Sequence, residues 1–82
     1  MTDSHDVAKL THIEARNLWG LPDASEGSVN DPRTSEEHGV RFNEKWIYAL
    51  PDGAKRLVYW HRYDCRGLLI ESSDGTVQAG SL

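Results

Sequence analysis

Residues 40–79, VRFNEKWIYALPDGAKRLVYWHRYDCRGLLIESSDGTVQA, read as a run of antiparallel β-hairpins. This stretch holds all three tyrosines, the one phenylalanine and two of the three tryptophans. Leu50-Pro51-Asp52-Gly53 sets proline where φ near −65° is wanted and glycine where φ must be positive, the chemistry of a three-residue hairpin loop. Pairing Leu50 with Ala54 then places Ile47 opposite Leu57, Trp46 opposite Val58 and Lys45 opposite Tyr59. By the same reasoning Asp64-Cys65-Arg66-Gly67 is a second loop, pairing Trp60 with Ser72 and His61 with Glu71. Asp74-Gly75 is a strong two-residue turn signal and pairs Ser72 with Val77.

These registers sort the apolar residues. Val40, Phe42, Trp46, Tyr48, Leu50, Val58, Trp60, Leu68, Ile70, Val77 and Ala79 fall on one face, the expected core. A slip of one residue would scatter that set across both faces. The expected fold is α+β, mainly β: a four-stranded antiparallel meander over 40–82 with a short N-terminal helix or arm. Strands are expected at about 40–50, 54–64, 68–73 and 76–79, with boundaries good to two to four residues.

Outward from the meander, residues 1–21 supply the helix or arm. Thr11-His12-Ile13-Glu14 has capping-box spacing, and Gly20 followed by Pro22 is a stop signal, so a helix is expected from about His12 to Trp19. Residues 22–39, rich in Gly, Pro, Ser, Asp and Glu, have the composition of a flexible acidic linker.

The chain has 82 residues and a net charge of −4, unevenly spread. Residues 1–38 carry eight acids against Lys9, Arg16 and Arg33, whereas residues 41–66 carry six Lys and Arg against three acids. An acidic segment beside a cationic sheet suits self-masking or a basic partner. No apolar run approaches the ~20 residues of a membrane span, so no membrane partner is expected. The acidic start does not read as a signal peptide, and a single cysteine excludes an internal disulfide. A cytoplasmic location is the corresponding expectation.

Chemistry-bearing residues are sparse. His5, His12, His38 and His61 match no metal-ligand spacing, and His61 and Cys65 on one strand would stand about 13 Å apart at ~3.3 Å per residue. No metal or cofactor is expected. An enzyme subunit would have to use His61, Glu71 and Cys65, the histidine oriented by the glutamate across the sheet. The second sheet face is richer, because Arg41, Lys45, Tyr59, His61 and Tyr63 alternate cations with rings. Such a surface suits a protein partner through Tyr and Arg anchors, or single-stranded nucleic acid through stacking and phosphate contacts. A small non-catalytic binding module, accessory or regulatory, engaging a protein partner is the leading expectation, with nucleic acid second and the enzyme subunit third.

Overall fold

The computed structural model describes residues 10–80. One helix, α1 (His12–Trp19), precedes seven strands: β1 (Ala24–Gly27), β2 (Ser35–Glu37), β3 (Val40–Phe42), β4 (Glu44–Ala49), β5 (Lys55–His61), β6 (Asp64–Glu71) and β7 (Val77–Ala79). The fold is mainly β and antiparallel, as expected, but the central sheet has five strands in the order β1-β4-β5-β6-β7, not four. The fifth comes from the stretch expected as a linker. Ala24–Gly27 runs along the edge of β4, pairing Ser25 with Trp46 and Glu26 with Lys45. A second, two-stranded sheet, β2–β3, also draws on that stretch.

The first hairpin follows its turn chemistry. Trp46 faces Val58, Ile47 faces Leu57 and Lys45 faces Tyr59, while Pro51–Gly53 forms the loop. The expected single strand 40–50 is divided at Asn43, however. Residues 40–42 pair instead with 35–37, Ser35 opposite Phe42. Val40 and Phe42 are therefore carried off the tryptophan face and onto the other side of the sheet, with Leu57, Tyr59, Ile47 and Leu69.

The other two registers differ from expectation. The β5–β6 turn is at Arg62-Tyr63, with His61 opposite Asp64 and Trp60 opposite Cys65. That register sets Val58 against Leu68 and Leu57 against Leu69, matching apolar side chains on both faces. The Asp64–Gly67 loop would have forfeited these pairs, so burial overrode local turn preference. A bulge after Tyr59 leaves Arg66 without a Cα partner and brings Cys65 and Leu68 to the same buried cluster despite their odd spacing. In the last hairpin Glu71 faces Val77, and the Ser72 amide bonds the Thr76 carbonyl at 2.8 Å. This is one residue from the expected pairing. Asp74 caps the longer loop by accepting the Thr76 amide at 2.9 Å.

Both sheet faces are covered. On one, Ala15 of α1 and Leu10, just before the helix cap, pack against Trp46, Tyr48, Val58, Trp60, Cys65 and Leu68, with Trp19 packed alongside. The helix has the residues expected of it. The Thr11 hydroxyl accepts the Glu14 amide, Glu14 accepts the Thr11 amide, and Gly20 at φ 80° ends the helix. On the other face the β2–β3 hairpin lays its Phe42 onto Leu57 and Tyr59. Gly67 permits that approach, because a Cβ there would stand 3.0 Å from Val40 Cγ2. Among the described residues no helix is long and apolar enough to cross a membrane.

Candidate functional site

The cationic and aromatic face is present in outline but is largely an interior. Tyr59 is 0% exposed and Lys45 is 9% exposed. Both reach Glu37 on β2. Lys45 Nζ lies 2.7 Å from Glu37 Oε1, and the Tyr59 hydroxyl donates to the same oxygen at 2.7 Å. The Lys45 hydrogen bond first, and the Tyr59 hydroxyl second, hold the Glu37 carboxyl below the usual carboxylate range. Burial, then the hydrogen bond to Glu37, raises the Tyr59 hydroxyl. The acidic segment thus masks the cationic sheet through one carboxylate, and these two residues join the hairpin to the sheet instead of facing a partner.

The other three residues of the expected ladder part company. Arg41, His61 and Arg66 line, with Gly39 and Val40, a small open cleft of about 320 Å³. Glu36 lies cross-strand from Arg41, and Asp64 approaches Arg66 at 3.8 Å, so this cluster is partly neutralised. Tyr63, 70% exposed, joins a different site.

That second site is a cleft of about 540 Å³ between α1 and the β5–β6 turn, lined by Thr11, His12, Ile13, Arg16, Val29, Glu44, Trp46 and Tyr63. Its volume is within the range of small-ligand and side-chain pockets. His12, in the first turn of α1, lies flat on the buried Trp60 ring, centroids 3.9 Å apart and planes inclined by 18°. Trp46 meets the imidazole edge-on at 5.1 Å, and Tyr63 does so at 5.8 Å. Glu44 organises the floor. Its Oε1 is 3.0 Å from His12 Nε2, and its Oε2 accepts the Trp46 indole N–H at 2.9 Å. Both carboxylate oxygens are thereby engaged by side chains of this site.

Asn43 fixes the cleft's remaining wall. Its side-chain amide donates to the carbonyls of Val29 and Asp31, and its Oδ1 accepts the Arg62 amide at 2.8 Å. One side chain thus pins the loop carrying Val29 and holds Arg62 at φ 60° in the turn. The Arg62 guanidinium reaches the Val29 carbonyl at 3.4 Å.

The catalytic trio does not assemble. His61 pairs with Asp64, while Glu71 pairs with Lys55 at the far end of β5, roughly 20 Å away at ~3.3 Å per residue. Cys65 is 2% exposed, and burial pushes its thiol up to about 11, opposite to an activated nucleophile. Reading the sequence did not single out His12, Glu44 or Ile13 for this site. The signal available was a histidine at the start of the predicted helix, and without tertiary contacts it reads as a surface residue. Comparison with family models, curated proteins and solved structures finds no match to this chain.

Proposed function

We propose that the protein is a small non-catalytic binding module, accessory or regulatory, which holds a protein partner over the cleft between α1 and the β5–β6 turn. One observation carries this reading. Ile13 and Tyr63 stand 69% and 70% exposed on opposite elements, flanking a pocket whose floor is Trp46. Exposed apolar side chains rimming a preformed pocket are the anatomy of an interface anchor site, where one inserted side chain supplies much of the affinity.

The rigid floor supports recognition more than chemistry. His12 and Glu44 satisfy each other and are clamped by two indoles, which preorganises the pocket walls and lowers the entropic cost of binding. The test is selection of binding peptides from a displayed random library against the folded protein. Bound peptides should lose at least about tenfold in affinity on Tyr63→Ala and on Ile13→Ser, and should be indifferent to Lys55→Ala, a distant surface change. Selection of nothing, or of peptides indifferent to both cleft variants, overturns the reading.

A second reading, single-stranded nucleic acid, draws on the gathering of Arg41, His61 and Arg66 beside the β5–β6 turn. Oligonucleotide affinity falling steeply with salt, and weakened by Arg41→Ala, would favour it.

A further inference from the structure

The smaller cleft, of about 320 Å³, shares no lining residue with the one beside α1. Three strands each bring it one basic side chain. Arg41 comes from β3, His61 ends β5, and Arg66 is the extra residue of the β6 bulge. A bulge re-aims a side chain, and Gly67 next to it lets Val40 of β3 approach β6 closely. No carboxylate is among the lining residues. Glu36 is cross-strand from Arg41, but among the described residues the two form no ion pair. Arg66 meets Asp64 only at 3.8 Å, with both side chains more than half exposed, which makes that pair weak. Among the described residues, none of the three basic side chains spends a donor on a hydrogen bond.

We propose that this cleft binds the phosphate group of a small phosphate monoester. Such a group carries a charge of about −1.5 to −2 at pH 7 and three strong acceptor oxygens. Each guanidinium offers it a planar fork of paired N–H donors, and the imidazole adds one N–H even when neutral. The cleft is at the small end of ligand pockets, which suits a phosphate with few atoms beyond it. A single strand of nucleic acid needs more than this: a cationic track with rings on which successive bases stack. The rings are not there, since Tyr59 is buried and Tyr63 lines the other cleft. This site stands apart from the binding-module reading and does not depend on it.

The test is a titration of the isotope-labelled full chain, followed by its amide resonances, with methyl phosphate and with inorganic phosphate at fixed ionic strength. Methyl phosphate should give saturable shifts centred on Gly39, Arg41 and Arg66. Affinity should fall about tenfold on Arg41→Gln and on Arg66→Gln, each of which removes charge-assisted hydrogen bonds. Arg41→Lys should restore only part of the loss, because it returns the charge without the fork. Lys55→Gln, at the far end of β5, should change nothing. Both arginines are exposed, so glutamine leaves the packing alone, and the amide dispersion of each variant reports that the fold is kept. Shifts that do not saturate, or that ignore both arginine variants, would overturn the site. Binding of inorganic phosphate without methyl phosphate would overturn the ester. Tighter binding of an oligothymidylate without a terminal phosphate, through the same arginines, would overturn the small-molecule assignment in favour of nucleic acid.

Discussion

Asn43 shows how much one polar side chain decides. It is buried, yet all of its hydrogen-bonding groups that turn inward find partners: two carbonyls, one amide and, through its own backbone N–H, the Trp60 carbonyl at 2.9 Å. Replacing it by alanine keeps the backbone bond to Trp60 but strips the Val29 and Asp31 carbonyls and the Arg62 amide of their part-buried side-chain partner. We expect Asn43→Ala to cost about 2–3 kcal/mol, read as a lower urea midpoint, with loss of order in the loop around Val29. An unchanged midpoint would mean that water replaces the amide freely. Cys65 makes a second expectation at this scale. Its thiol, raised to about 11 by burial, should resist alkylation at pH 8 in the folded protein and react only on unfolding. Native labelling at the rate of the urea-unfolded chain would contradict the packing of β6 against α1.

Among the strands, β1 is the one whose residues are all exposed. It therefore depends on its ladder with β4 and on a close approach at Gly27. There φ is 72°, and a Cβ would run into the Asn43 carbonyl oxygen. Gly27→Ala should detach β1 from β4 at a cost above ~1–2 kcal/mol, the penalty for left-handed backbone alone. Amide exchange checks this. Protection of the Ser25 and Lys45 region should be lost while the β5–β6 ladder keeps its own. The helix was legible in the sequence because its signals are local: Thr11, Glu14 and Gly20 cap it wherever it docks. The β4–β5 register was legible for the same reason, through Pro51-Asp52-Gly53. The β5–β6 register was not, since Asp64-Cys65-Arg66-Gly67 looks like a turn until Leu68 and Leu69 are set against Val58 and Leu57.

At the scale of the whole molecule the sheet is filled from both sides, by α1 on the Trp60 face and by the β2–β3 hairpin on the Tyr59 face. Glu37 is the polar tie on the second side. Because its folded-state pKa lies below the ordinary 4.5, the carboxylate contributes stability at pH above that value and loses it as pH falls through the depressed one. The stability difference between wild type and Glu37→Gln should therefore be largest near neutral pH and shrink on acidification. A difference constant from pH 7 to pH 3 would show that the Lys45 and Tyr59 contacts do not depend on the charge. For the first side, Trp60→Ala should cost about 3–5 kcal/mol, since that ring is wholly buried under His12.

By itself the sequence determined the β-rich class, the antiparallel sense, the helix His12–Trp19 and the first hairpin register, because caps, turn residues and period-two alternation act within a few residues. For the five residues of the expected binding face, it gave the alternation of cations and rings but not their exposure. Alternation says that Lys45 and Tyr59 share a face with His61, yet it is silent on whether a later layer covers that face. Only the tertiary structure decided that Asn43 breaks the strand, that Glu37 returns over Tyr59, and that His12 travels 32 residues in sequence to meet Glu44. Those outcomes depend on long-range burial, where a few matched side chains outweigh the local preference of any turn.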